Sequence, residues 1–380
     1  MYDCIIAGGG LAGLSLAIQL ADAGKSVLLI EKKTYPYHKV CGEYLSMENK
    51  DFLLRLGIDL SRMNLPQIRN FMMSSVTGKS LKEKLDLGGI GISRFTLDHL
   101  MYQLALNKGV EVMQETQVLS YARSSDSFTV QANKGNFHSR ILVASFGKLA
   151  PGNFNKADKL QENWVGIKYH IRIDGPDDQI ALHTFIGGYC GISKIEDEKY
   201  CLCYLVKADV LKQCGNSIPT LEQTILMRNP HLREIFSQAE FLFDKPKVIS
   251  NITFGKHKPV LDGVFYVGDA AGTIAPLSGN GMSMALRASS LLAPALIQYL
   301  DGQISLPQLE EAYLNDWNRH FQSRIHTGNW LQYWFCQSWL TGFFISFMRL
   351  SASLRRNVIR RTHGEMYSCA PMIIALHFYL

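Results

Sequence analysis

The 380-residue sequence predicts an α/β fold: a parallel βαβ core, an inserted antiparallel sheet and a helical C-terminus. Three observations carry that prediction. An apolar run, a cluster of glycines, a helical pattern and a second apolar run follow one another within the first thirty residues. Between about residues 160 and 255 the chain changes to strand-like runs with little helix between them. It then returns through "GVFYVGDAAG", a buried strand entering a turn, to a long helical pattern from about Gly281 to Tyr299.

The N-terminal elements come in the order strand, turn, helix, strand. The run Cys4 to Ala7 leads into Gly8-Gly9-Gly10, a helical pattern covers Leu11 to Ala23, and Val27 to Ile30 ends at Glu31. Glycine has no Cβ, so backbone can come very close to a partner there. Gly8, Gly10 and Gly13 have the spacing G-x-G-x-x-G, which presents a helix N-terminus to a pyrophosphate. Glu31 stands at the end of the second strand, where a carboxylate accepts hydrogen bonds from ribose hydroxyls. An ordinary glycine-rich turn would not need that acid, so a dinucleotide site is expected.

Further along, "KKTYPYHKVCGEYLS" reads as a long loop and Met47 to Leu56 as a helix. "RNFMMSSVTG" reads as a strand. "SRFTLDHLMYQLALNKG" has a Ser or Thr N-cap candidate, helical spacing of Leu97, Leu100 and Leu104, and a stop at Gly109. Residues 111 to 144 alternate apolar and polar, broken at "SSDS" and "NKGN", as a β-meander does. Beyond 160, "NWVGIKYHIRI", "IALHTFIGG", "YCLCYLVK" and "KVISNITF" are strands, with helix near Pro219 to Met227.

Composition narrows the function. With 47% hydrophobic and 19% charged residues the chain is globular rather than disordered. A net charge of +6 without a Lys/Arg tract gives no nucleic-acid signal. Several of the eight cysteines sit in apolar strand-like runs, and Cys201-Leu202-Cys203 lacks the C-x-x-C spacing of a zinc or redox pair, so no metal is expected. The chain opens on its first strand without a signal-peptide pattern. A reducing, cytoplasmic setting is expected.

"VFYVGDAAG" points to the kind of dinucleotide. An apolar strand ends at Gly268-Asp269, and a carboxylate there can bond the ribityl hydroxyls of a flavin chain. Pro276, Gly279 and Gly281 precede a helix whose first amides would face the flavin and stabilise negative charge on its reduced form. With the N-terminal turn, this makes FAD the expected cofactor.

The GGGLAG turn with Glu31, "SRFTLDHLMYQLA" and "VGDAAGTIAPLSGNGMSMAL" resemble the FAD-dependent superfamily of aromatic hydroxylases and geranylgeranyl reductases over roughly residues 1 to 300. "HKVCGEYLS" resembles the K-x-C-G-E segment of the geranylgeranyl-reductase-like branch, and "GGYCGISKIEDEKYCLCYLV" is similar to its GGY strand pair. The resemblance implies a Rossmann-like FAD-binding domain (1–155 and 256–300), an inserted antiparallel β-sheet substrate domain (156–255) and a helical C-terminal region (301–380). It implies a cofactor set of Gly8, Gly10, Leu11, Ala12, Gly13, Glu31, Lys32, Lys39, Cys41, Gly42, Arg94, Gly268, Asp269, Pro276, Gly279, Asn280, Gly281 and Met282. Arg94 would meet FAD near its pyrophosphate or ribose, and Cys41, Gly42 and Glu43 would lie at the isoalloxazine and substrate pocket. Three departures stand out. Phe146 occupies the place of an Asp linked to FAD and NAD(P)H contacts, Gly191 that of a Trp, and the Trp-x-Trp-x-Ile-Pro run of flavin halogenases is missing. Reduced nicotinamide is therefore only a candidate electron donor.

The chemistry then has two forms. A monooxygenase hydroxylating an aromatic or polyketide-like molecule is the leading expectation, and it needs a pocket that excludes water. The alternative is a reductase saturating prenyl-type C=C bonds, in which a nearby acid delivers a proton. Glu43 or Cys41 fits that role; equally, Glu43 caps the following helix and Cys41 merely packs. A flavin-binding protein without turnover is a third reading. His170 and His183 read as half-buried structural histidines, and of Lys168 and Tyr169 only one can face the pocket. Finally, Trp330 to Met348 is almost uncharged and aromatic, followed by Arg349, Arg355, Arg356, Arg360 and Arg361. It reads as a helix over the sheet lining a tunnel, with peripheral membrane contact through 330–361 as the other reading. Both suit a hydrophobic small-molecule substrate.

Overall fold

A computed structural model describes residues 1–148, 150–154, 163–252, 258–272, 281–335 and 338–349. The first sheet has the strand order Val260–Leu261, Val264–Tyr266, Gly135–Ala144, Tyr2–Ala7, Val27–Ile30, Glu111–Met113, with Val118–Arg123 and Phe128–Ala132 extending it as a hairpin. Its centre is parallel: Tyr2–Ala7 lies between Val27–Ile30 and Gly135–Ala144, and Val264–Tyr266 joins Gly135–Ala144 in the same sense. Strands buried on both faces need apolar residues throughout, and Ile5, Ile6, Leu28, Leu29, Leu142 and Val143 are all buried. Helix Leu11–Asp22 packs on helices Arg94–Asn107 and Gly281–Leu300. Helix Leu306–Phe335 covers the last of these, and its Tyr313 donates to the carbonyl of Tyr266, 2.7 Å away.

The second sheet runs in the order Glu240–Phe241, Trp164–Arg172, Tyr200–Lys207, Gly188–Lys194, Gln179–Phe185, Gln67–Ser74, Ser80–Gly91, Tyr44–Ser46, with Lys247–Ile252 also paired to Trp164–Arg172. Three of these strands precede residue 155, so the expected split at 156 is corrected: the sheet domain draws on both sides of it. The sheet is also not wholly antiparallel, because Gln179–Phe185 pairs in parallel with Gln67–Ser74. The strand Ser80–Gly91 escapes a reading of the sequence. Leu81 and Leu85 stand four apart among Lys and Glu, a helical pattern, and pairing with Gln67–Ser74 overrides it. Two further helices, Ala208–Gln213 and Pro230–Gln238, cover the outer face of this sheet beside the anticipated Ile218–Thr224. Helix Ser338–Arg349 lies against Gln179–Phe185 and Ser80–Gly91.

Candidate functional site

The site begins at the glycine turn. Gly8 has φ +113°, and a Cβ there would stand 2.4 Å from the carbonyl oxygen of Ser145. At Gly13 a Cβ would stand 2.2 Å from the Gly8 carbonyl, so this glycine serves the packing of helix on turn. Helix Leu11–Asp22 has no side-chain cap at Gly10 and no acid in its first turn. Its leading amides are open to an anion, and the macrodipole favours one. The ends of Lys39 and Arg94 come to 3.8 Å from where a Gly10 Cβ would be. Both cations are held by one buried acid. Arg94 makes two bonds to Asp98 (2.6 and 2.8 Å) and Lys39 makes one (2.9 Å). Burial alone would raise the Asp98 carboxyl, but Arg94 and Lys39 hold it below the usual range. Glu31 is buried at the end of its strand and accepts from the Gly9 amide (2.8 Å) and the Lys33 amide (3.0 Å). These features fit a dinucleotide: open amides, flanking cations and a carboxylate one strand away.

A second set of side chains grips the loop that leads away from the turn. Lys168 and His170 are two apart on strand Trp164–Arg172, so both face the loop, while Tyr169 points to the other face and donates to Glu222. Lys168 Nζ donates to the Lys39 carbonyl (3.1 Å) and to Glu43 Oε1 (2.5 Å). His170 Nε2 lies 2.7 Å from Glu43 Oε2. The Arg94 amide donates to Glu43 as well, at 2.8 Å. Cys201, opposite His170 in the sheet, donates to the Cys41 carbonyl (3.2 Å), and Ser193 reaches the Gly42 carbonyl (3.5 Å). Glu43 is fully buried with φ +56°, a conformation side chains other than glycine rarely adopt. Burial pushes its carboxyl up, yet Lys168 and His170 more than offset this and bring it down to about 2. These partners favour the carboxylate form of Glu43, whose oxygens bind Lys168, His170 and the Arg94 amide, while Ser46 caps the turn that follows. Glu43, His170 and Cys201 have metal-ligand chemistry and stand close together, but the ammonium of Lys168 occupies the carboxylate and the thiol is committed to Cys41. They form a hydrogen-bonded cluster.

Turn and loop open into one cleft of about 970 Å3. Gly8, Gly10, Leu11, Ala12, Glu31, Lys32, Lys39, Cys41, Gly42, Arg94, Gly268, Asp269, Gly281 and Met282 all line it. Gly13 lies beneath it. Pro276, Gly279 and Asn280 fall outside the described residues. The cleft continues between the second sheet and helix Ser338–Arg349, where Phe71, Met73, Leu182, Leu205, Phe344 and Met348 make its walls apolar. Tyr189 and Gly191 of the GGY strand pair line it too. Phe146, also lining, packs edge-on against Phe154 and Tyr266 and offers no hydrogen-bonding group.

Some of the arrangement is new relative to the sequence. Asp98 was not anticipated, although its i,i+4 spacing from Arg94 on one helix is a readable signal. Ser193 and Cys201 carry no such signal, because their partners are 151 and 160 residues away. His183 is buried rather than half-buried: it bonds Ser74 Oγ at 2.8 Å and stacks on His231, and burial lowers it to about 3.

Comparison with known proteins agrees with this geometry. A family model described as an FAD binding domain matches residues 1–144. The chain is 25% identical over 354 residues to the Conditioned medium factor receptor 1 of Dictyostelium discoideum, covering 84% of this chain and 68% of that protein. It is 24% identical over 330 residues to Digeranylgeranylglycerophospholipid reductase 1 of Methanothermobacter thermautotrophicus, covering 81% and 80%. Among solved structures, the flavin-dependent brominase Bmp2 superposes with a TM-score of 0.78 at 21% identity, over 95% of this chain and 93% of that one, which shows the fold. The chain is an FAD-dependent oxidoreductase. Its relatives also include a rifampicin monooxygenase of Streptomyces venezuelae, 22% identical over 331 residues, covering 80% of this chain and 65% of that protein.

Proposed function

We propose that the chain reduces C=C bonds of a long apolar, prenyl-type molecule. The observation that carries this reading is the apolar half of the cleft, which is continuous with the glycine turn and passes Cys41. A chamber walled by Leu, Met and Phe from two elements gains free energy from each methylene it buries, about 0.8 kcal/mol. FAD, when bound, supplies a hydride carrier. The Leu11–Asp22 helix end with Lys39 and Arg94 would hold its pyrophosphate, Glu31 its ribose and Asp269 its ribityl chain. The chain's own residues do the rest. The apolar walls exclude water and align the double bond. The Cys41 thiol, which lines the cleft, would supply the proton that one carbon of the double bond needs and regain it from solvent. Saturating each double bond would consume two electrons and two protons, so an external two-electron donor would be required. The Phe146 cluster makes reduced nicotinamide one candidate among such donors.

Hydroxylation of an aromatic molecule is the second reading, favoured by the rings of Phe71, Tyr189 and Phe344 in the chamber wall. One experiment separates the two. The FAD-loaded protein is reduced anaerobically and mixed with a geranylgeranyl lipid. Flavin reoxidation with a product two mass units heavier per bond supports reduction. Conversion that waits for oxygen and adds sixteen mass units to an aromatic substrate replaces it with hydroxylation. A product that needs halide overturns both.

A further inference from the structure

We propose that Lys168 and His170 are positioning residues that clamp the Lys39–Glu43 segment against the FAD groove and make its geometry independent of pH. The second sheet holds this segment at nearly every residue. Lys168 takes the Lys39 carbonyl, Cys201 the Cys41 carbonyl, Ser193 the Gly42 carbonyl, and Lys168 with His170 the Glu43 carboxylate. The segment lines the cleft on its other side. Its position is thus set by a sheet that also walls the apolar chamber.

The clamp works only while Glu43 is ionised. A neutral carboxyl would lose its attraction for Lys168 and leave a buried ammonium without a counter-charge. The groups facing Glu43 are Lys168, His170 and Cys201 from the sheet and His38, Lys39 and Cys41 from its own loop. Beyond them, Arg94 from the helix is committed to Asp98, Glu196 is taken up by Ser93 and Thr96, and Lys247 neighbours His38 from the adjoining strand. Lys168 and His170 are the two basic side chains that bond the Glu43 carboxylate among the described residues, and Lys168 brings the ammonium. Its charge is the first of the influences that keep the carboxylate ionised in full burial, with His170 adding to it; an uncompensated buried carboxyl titrates near neutrality.

The test uses FAD-loaded protein and no substrate, so it stands apart from the reading of the reaction. The bound flavin's visible band and fluorescence are followed from pH 5 to 9, together with the FAD dissociation constant. Wild type is expected to stay flat. Lys168→Met is expected to show a single sigmoidal transition in that window and on the order of tenfold weaker FAD binding, the usual cost of removing an outer support. The pair K168M/E43Q has no carboxylate to titrate and is expected to lose the transition while keeping the weaker binding. Should K168M fail to fold, His170→Ala is expected to shift the flavin band and His170→Gln, which retains an N–H donor, to restore it. A flat K168M profile with wild-type affinity overturns the proposal. So does an unshifted flavin band in H170A.

Discussion

At the glycine-turn end the cleft is made of backbone: amides of one helix, a left-handed Gly8 and a close approach to Ser145. At the sheet end it is made of side chains from strands Gln67–Ser74, Gln179–Phe185 and Tyr200–Lys207 and helix Ser338–Arg349. The first end places donors by the covalent geometry of a dozen consecutive residues. The second assembles an apolar surface that exists only once distant segments are packed. Between them lies the Lys39–Glu43 segment, which belongs to neither half and is bonded to both. One end recognises a fixed chemical group through obligatory backbone polarity. The other selects by volume and apolarity, which many sequences can supply.

Breaking the seam should have the largest effect. Glu43→Ala strands the buried Lys168, and removing one partner of such a pair costs about 3–5 kcal/mol. Thermal unfolding of the variant should show it, and a loss under about 1 kcal/mol would mean that water reaches Lys168. At the glycine-turn end, Gly13→Ala must push a methyl against the Gly8 carbonyl. Overpacking of this kind costs about 1–3 kcal/mol. FAD titration should find affinity reduced about ten- to a hundredfold, and unchanged affinity would show the turn to be more compliant than the packing implies.

Acid sharpens the contrast. Burial raises the Glu43 carboxyl and its partners lower it further, from an ordinary 4.5 to about 2. Its folded value lies below its unfolded one, so its contribution to stability is complete above about pH 4.5 and is lost as pH falls toward 2. Asp98 acts in the same sense. Urea unfolding between pH 5 and 3 should therefore become easier as pH falls, and less steeply so in Glu43→Gln. An equal pH slope in both proteins would remove Glu43 from the account. The smallest expected change on the cofactor side is that of Leu182→Trp, which fills the apolar chamber. FAD affinity should stay within about twofold while binding of an apolar fluorescent probe is lost. A large loss of FAD affinity would show that the two ends are not separable.

The glycine turn, Glu31, Gly268-Asp269 and the helix from Gly281 could be placed from sequence because each depends on neighbours within a few residues. A G-x-G-x-x-G needs its spacing, and a strand end needs its apolar run. The same local logic marks Ser93 as a helix cap, and in the structure its hydroxyl accepts from Thr96. The strand Ser80–Gly91 was hidden because its local pattern favours helix and only its partner strand makes it extended. Cys41 and Glu43 could be named as a pair but not told apart. Their difference lies in what faces them, and Lys168 is 125 residues from Glu43.

The amino-acid sequence by itself determined the cofactor class, the order of the elements and the backbone of the turn, since these follow from short-range sterics and periodicity. Tertiary structure alone decided the partners of Glu43, the pairing of Lys39 and Arg94 on Asp98, and the apolar chamber. Burial and counter-charge act through space, and no spacing along the chain encodes which side chains will share a dry interior.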